Sequence, residues 1–330
     1  MKIAVHQNLM EHGGDYSARW IERLRELGVE HVVADMKKDG ALANLADCDG
    51  LMWHWFHLPN DKQSVPKILD AVELGLKKKV WPNHATRFHF DEKTAQHYFF
   101  QAIGAPYIKS WAFWKKPEAM AFLAQAAYPL VFKLSSGAGS TNVQLIRSRA
   151  EGERIASLMF GHGIYASRPK NEPVGDRLRR LLTGNPNVFF QVHKNYAYFQ
   201  EFLPGNDHDI RITVIGGRAF GFIRYNRDND FRASGSGKIS YDLAKIPLEA
   251  VRVAHQISQR QGFQSMAYDF LYDKEGAVAI GEISYGYMDS AVHACPGHWD
   301  RDLNWHEGHV WPQDAHVDDF LDYVRTGELV

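Results

Sequence analysis

Hydrophobic positions along the chain fall into two rhythms. Short apolar, β-prone runs in "KIAVHQN", "EHVVADM", "DGLMWHWF" and "VWPNH" predict strands near the amino terminus, the second and third of them buried. Between them, "DYSARWIERLRELG" places Trp20, Leu24 and Leu27 on one helical face and stops at Gly28, and "SVPKILDAVELGLKKK" reads as a second helix. Strands alternating with helices predict a small α/β layer with parallel strands. Farther on, "DEKTAQHYFFQAIGA" predicts a helix with Asp91 as its cap and Gly104 near its stop. "YIKSWAFW", a helix near "PEAMAFLAQAA", and two strands around a Ser/Gly turn in "YPLVFKLSSGAGSTNVQLI" follow. After another helix and the basic stretch "SRPKNEPVGDRLRRLL", alternating patterns return in "VFFQVHKNYAYFQEFL", "IRITVIGGRAFGFIRY", "MAYDFLYD" and "AVAIGEIS". The last two are joined by "KEG", a hairpin turn. The basic stretch reads as a solvated face, with docking of an anionic substrate as the alternative.

Composition narrows the class. A chain of 330 residues has room for two or three domains, and 45% hydrophobic with 23% charged residues is ordinary for a soluble globular protein. A formal net charge of −1 argues against a nucleic-acid partner bound through a generally basic surface. The two cysteines, Cys48 and Cys295, have no metal or disulfide spacing, and Cys295 reads as a small buried hydrophobe. The amino terminus lacks the apolar stretch of a signal peptide, and no run approaches the roughly 20 apolar residues of a membrane helix. A cytoplasmic protein without membrane insertion is expected.

The chemistry concentrates in a few places. In "SSGAGS", glycines let backbone amides close over anionic oxygens, and Lys133 adds a compact cation at the entrance. The lysine precedes the glycines and a strand follows, so this is not the usual G-x-x-x-x-G-K-[ST] phosphate loop; the dinucleotide pattern G-x-G-x-x-G is missing too. In "NDHDIRIT", Asp209 and Arg211 share one strand face while Ile210 and Ile212 take the other. "RYNRDNDFRASGSGK" supplies Arg224, Arg232 and Lys238. Asp269 and Glu282 sit on the two arms of the predicted hairpin, where paired carboxylates hold Mg²⁺ and leave positions for phosphate oxygens. Alone, each of these reads equally as a surface turn or a salt bridge. His54 and His57, three apart among aromatics, read as packing or a cleft wall, with substrate contact as the alternative.

In this order the features resemble the ATP-grasp superfamily, and within it the carboxylate–amine ligases of the ribosomal-protein S6 glutamate ligase and glutathione synthetase type. The resemblance covers roughly residues 83–286. It implies an α/β (α+β) ATP-grasp fold: an N-terminal parallel α/β domain over 1–82, a central lid subdomain over 83–195, and a C-terminal antiparallel-sheet subdomain over 196–330. It also implies that Lys93 and Lys133 touch the triphosphate, with Ser135, Ser136, Gly137, Ala138, Gly139 and Ser140 forming the mobile loop. Gln200, Glu201, Phe202 and Leu203 would line the adenine, and Asp209 would lie near the sugar or phosphates. Arg232 and Arg224 would join Lys133 at the reacting group, Asp269, Glu282 and Ser284 would hold Mg²⁺ or Mn²⁺, and Arg211, Lys238, His54 and His57 would face substrate.

The implied reaction is ATP- and Mg²⁺-dependent amide formation from a small carboxylic acid and an amine through an acyl phosphate. The alternatives are a phosphotransferase that stops at a phosphorylated product, and a nucleotide-binding protein without turnover. Two positions depart from the family pattern: Ser234 and Ser284 stand where asparagine is usual, and a serine hydroxyl is a poorer magnesium ligand. The tail "HACPGHWDRDLNWHEGHVWPQDAHVDDFLDYV" is rich in Trp and His and resembles those of ATP-grasp proteins encoded with surface-polysaccharide genes. That makes a sugar-linked substrate stacked on Trp299, Trp305 or Trp311 a candidate, against a simple packed tail or zinc on His306 and His309. The sequence leaves the oligomeric state open, a homodimer included.

Overall fold

The computed structural model describes residues 1–7, 16–137, 142–165, 192–227 and 237–329. In the first layer, β1 (Lys2–Val5), β2 (Glu30–Val33), β3 (Gly50–Met52) and β4 (Lys79–Trp81) form a parallel sheet in the order β2-β1-β3-β4. Helices α1 (Ser17–Glu26) and α2 (Pro59–Asp70) make the crossovers. β3 is buried throughout, but β2, expected to be buried, is half-exposed because an edge strand has a neighbour on one side only. Leu27 also departs from expectation: α1 ends at Glu26, so this leucine falls in the cap and is 42% exposed.

The middle layer begins with α3 (His84–Arg87) and α4 (Lys93–Ile103), whose C-cap Gly104 adopts the left-handed conformation that lets the chain turn away. Asp91 is not the cap of α4. Glu92 occupies that position, and Asp91 is itself left-handed (φ 51°). Then come β5 (Ser110–Phe113), α5 (Lys116–Gln125), β6 (Leu130–Lys133), β7 (Val143–Ile146), α6 (Arg149–Met159) and a small ribbon of β8 (Ile164–Tyr165) and β9 (Val192–His193). The sheet is closed by β10 (Ala197–Glu201), which lies between β5 and β6 in the order β5-β10-β6-β7. Strand 197–201 therefore counts with the middle layer rather than with the residues after 196. This layer has its own core, built on Leu123, Phe132, Ile155, Met159 and Phe199.

The last layer is an antiparallel sheet in the order β15-β14-β11-β12-β16-β17, with β13 beside β12. Its strands are β11 (His208–Ile215), β12 (Arg218–Tyr225), β13 (Ile239–Ser240), β14 (Ser265–Tyr272), β15 (Val278–Ser284), β16 (Gly297–Trp299) and β17 (Trp305–Glu307). Helices α7 (Leu248–Gln261), α8 (Asp289–His293) and α9 (Pro312–Thr326) complete it. Ile210, Ile212 and Val214 of β11 enter the same core as Trp20, Trp53, Trp81, Tyr285 and Phe320, so the first and last layers share one apolar interior. Arg19–Asp314 and Arg23–Asp318 ion pairs tie α1 to α9 at 2.7 and 3.0 Å. Among the described residues no helix is long and apolar enough to cross a membrane.

Candidate active site

A cleft of about 540 Å³ opens between the middle layer and the other two. At one end Ile108, Val131, Phe202, Leu203 and Leu271 make an apolar slot; at the other stand His54, Trp55, Phe56, His57, Phe90 and Tyr287. The charged residues lie between. This division follows from topology: β6 and β10 contribute Lys133 and Gln200–Leu203, β11, β12, β14 and β15 contribute the alternate positions that face away from the core, and the loop after β3 brings in the aromatic wall.

Lys93 opens α4 and points its ammonium at Glu282 on β15, Nζ to Oε1 3.0 Å. Burial alone would lower its pKa, but Glu282 and then Asp91 hold it above the ordinary lysine value. Lys133, at the end of β6, reaches the same cleft without an ion-pair partner among the described residues. Burial pushes its pKa down to about 8, with Glu282 pulling the other way and Lys93 reinforcing the shift. The two lysines therefore differ: Lys93 is ion-paired with Glu282, whereas Lys133 has no ion-pair partner among the described residues.

On the opposite wall, Asp269 and Glu282 are register partners on β14 and β15. Arg211 donates to Asp269 from both Nε and Nη2, the latter at 2.9 Å. Arg224 donates to Asp209 at 2.7 and 2.6 Å and reaches Asp269 at 2.8 Å. Burial pushes the Asp269 carboxyl upward, but Arg211 and Arg224 overcome that and hold it below the usual range. Asp209, deeper in, is pushed up by burial. Arg224, expected at the reacting group, is thus committed to two carboxylates, and Asp209 is its partner.

Asp269 and Glu282, one strand apart and both lining the cleft, fit a divalent cation whose remaining positions go to phosphate or water oxygens. Ser284 does not complete the set: its Oγ donates to the Gly286 carbonyl at 2.7 Å and accepts from the Gly286 amide at 3.2 Å. No group of three or more His, Cys, Asp and Glu side chains gathers for a metal among the described residues. Losing both Oγ bonds in Ser284→Ala should lower stability by about 1 kcal/mol, read as a shift in the urea midpoint at unchanged slope.

Ser135 and Ser136 are not on the cleft wall. Ser135 donates its amide to the Tyr196 hydroxyl (2.7 Å) and its own hydroxyl to Glu92 (2.6 Å), while Ser136 pairs with His193 Nε2 at 3.0 Å. They anchor the start of the turn. Gly137 does line the cleft. Its φ of 129° and a Cβ position 2.2 Å from Asn142 Nδ2 leave no place for a side chain. Glu201 lines the apolar slot and is paired with Lys274. Lys238 is exposed at the rim between two cleft residues, Gly237 and Ile239. Ala138, Gly139, Ser140, Arg232 and Ser234, with the basic stretch, lie outside the described residues. Sequence reasoning missed Lys62, Asp91, Glu92, His193 and Tyr196, whose pairing depends on elements far apart in the chain.

The tail tryptophans do not line the cleft. Trp299 is buried against Trp305, and Trp311 stacks on His293 at 3.8 Å. The packed-tail reading is the one observed.

No protein-family model matches the chain, and comparison with curated proteins gave no match. Solved structures do match over the whole fold. A RimK-domain ATP-grasp protein from Sphaerobacter thermophilus is 16% identical, with 97% of this chain and 99% of that one covered and a TM-score of 0.57. D-cycloserine synthetase DcsG is 14% identical over 97% and 100%, TM-score 0.59. Biotin carboxylase from Campylobacter jejuni, complexed with a β,γ-ATP ligand, is 12% identical over 100% of this chain and 71% of that one, TM-score 0.62. The chain has the ATP-grasp fold.

Proposed function

We propose that the protein is an ATP-dependent carboxylate–amine ligase that works through an acyl phosphate. The observation that carries this reading is the meeting of Lys93, Lys133, Asp269 and Glu282 across one cleft, cations from one side and carboxylates from the other. In this reading the adenine occupies the slot of Ile108, Val131, Phe202, Leu203 and Leu271, and the triphosphate runs toward Lys133 and Lys93. A divalent cation held by Asp269 and Glu282 would neutralise phosphate charge. Lys93 and Lys133 stabilise negative charge on the transferring group, and the aromatic wall keeps water from the intermediate. The substrate carboxylate attacks the terminal phosphorus and the bond to ADP breaks; an amine then displaces phosphate from the acyl carbon. That solved structures of the same fold include a synthetase and an ATP-bound carboxylase supports ATP-driven chemistry on small molecules.

The deciding assay is phosphate release with acid and amine panels. A ligase releases free phosphate only when ATP, acid and amine are all present, and product mass equals acid plus amine minus water. ADP formed with one substrate alone, and a stable phosphorylated product, would assign the phosphotransferase instead. Uronic acids and amino sugars remain in the panel, although the tail tryptophans supply no stacking surface in the cleft.

A further inference from the structure

At the aromatic end of the cleft one residue is built differently from a wall. The His57 side chain lines the cleft and is 31% exposed, with Phe90 packed on its ring at 4.8 Å. Its Nδ1 is buried and lies 3.3 Å from Oδ2 of Asp91, within ion-pair distance but without a hydrogen bond among the described residues. That carboxylate is almost fully buried, on a residue in the left-handed region. Its Oδ1 accepts the Gly137 amide at 2.7 Å, and Lys62 of α2 donates to the Asp91 carbonyl at 2.8 Å and approaches Oδ2 at 3.3 Å.

Gly137 and Lys62 already compensate the buried carboxylate, so its second oxygen is free to face the ring as well. A carboxylate this close to Nδ1 has an electrostatic consequence: it favours the proton there and leaves the Nε2 lone pair for the cleft. Asp91 is also joined through Gly137 to the lysine side of the cleft. Gly137, which donates to Asp91, accepts from Lys93 Nζ at 3.3 Å, and Lys93 is the lysine that meets Glu282. Charged or titratable neighbours on this side are Asp91, Glu92 and Lys93 before and on α4, Lys62 from α2, and His54 from the same loop.

We propose that His57 is the general base of the amide-forming step and that Asp91 is its positioning residue. This rests on the ligase reading. The amine lone pair forms the C–N bond at the acyl carbon, the N–H proton passes to Nε2 of His57, and the C–O bond to phosphate breaks with its electron pair leaving on phosphate. Asp91 faces the imidazolium so formed.

Two nucleophiles separate this role from a structural one. Hydroxylamine is a strong enough nucleophile to trap an acyl phosphate without a base, whereas an ordinary neutral primary amine needs its N–H proton taken up as the C–N bond forms. The assay uses ATP, Mg²⁺ and a panel of uronic and amino acids, with hydroxylamine or with amino sugars and amino acids as the amine. In H57Q and H57A the amide kcat should fall by roughly 10²–10³, the range of general-base catalysis. Hydroxamate formation should stay within about twofold of wild type, and added imidazole should restore amide formation in H57A. D91N should lower amide kcat by at least about tenfold with KM for the amine unchanged and hydroxamate intact. Equal loss of both products in H57Q and H57A, or an undiminished amide rate, overturns the proposal. Wild-type protein that consumes ATP yet yields neither hydroxamate nor amide overturns the ligase reading itself.

Discussion

Lys133→Met is expected to raise thermal stability while abolishing nucleotide turnover. The ammonium lies in the cleft with its pKa pushed down to about 8 by burial, so the folded protein holds this proton less firmly than the unfolded chain does. The sign follows from linkage. Between pH 8 and the ordinary lysine value of 10.5 the unfolded state binds more protons, so stability rises with pH there; below pH 8 the full penalty of the buried charge is present. A drop of this size corresponds to at most about 3 kcal/mol at neutral pH. Methionine keeps the length and removes the charge, so Tm at pH 7 should rise by a few degrees, and the gain should shrink as pH approaches 10.5. Turnover should fall by about 10³ or more, because a cation aimed at developing phosphate charge has no substitute in methionine. Calorimetric Tm across pH, with phosphate release at pH 7, checks both halves. A stabilised variant with wild-type turnover would remove Lys133 from the site.

The second large effect separates two carboxylates that look alike in the sequence. Asp269→Asn leaves Arg211 and Arg224 short of the charge they share, and breaking a buried ion pair on one side costs about 3–5 kcal/mol. Lost activity in that variant therefore carries little information, since the sheet itself is weakened. Glu282→Gln is the informative one. Its carboxylate is about one-third exposed and its ion-pair partner among the described residues is Lys93, which keeps Asp91 and the Gly137 carbonyl nearby. The cost in stability should therefore stay below that of Asp269→Asn while turnover falls by roughly 10²–10³. The measurement is the urea midpoint beside the phosphate-release rate for each. Should Asp269→Asn prove as stable as wild type, the arginine ladder is not holding β11, β12 and β14 in register.

Much of the layout is legible in the sequence for local reasons. Asp209 and Arg211 share a face because strand side chains alternate. The "KEG" hairpin by itself would set Asp269 opposite Gly281, and a bulge between Asp269 and Phe270 shifts the register so that Glu282 faces Asp269 instead. Gly104 stops α4 because a left-handed residue must follow. The misreadings also have one cause. Asp91 has the composition of a cap, but its carboxylate bonds Gly137, 46 positions away, and its backbone turns left-handed to reach it. Ser135 and Ser136 have the composition of a phosphate loop, but Glu92, Tyr196 and His193 had already claimed their hydrogen-bonding groups. Trp299 in the tail has the composition of a sugar platform, yet it packs against Trp305 inside the fold.

By itself, then, the chain's pattern determined most strands and helices of the first two layers, the faces of β11 and β14, and which residue types line the cleft. Those follow from periodicity and turn chemistry, which act over a few residues. Only the tertiary structure decided which charges remain available. It spends Arg211 and Arg224 on Asp209 and Asp269, ties Ser284 to Gly286, leaves Lys133 without an ion-pair partner among the described residues, and sets a buried carboxylate behind His57. Pairing is fixed by distances between elements far apart in the chain, and a charge in a low-dielectric cleft is worth what its neighbours leave uncompensated.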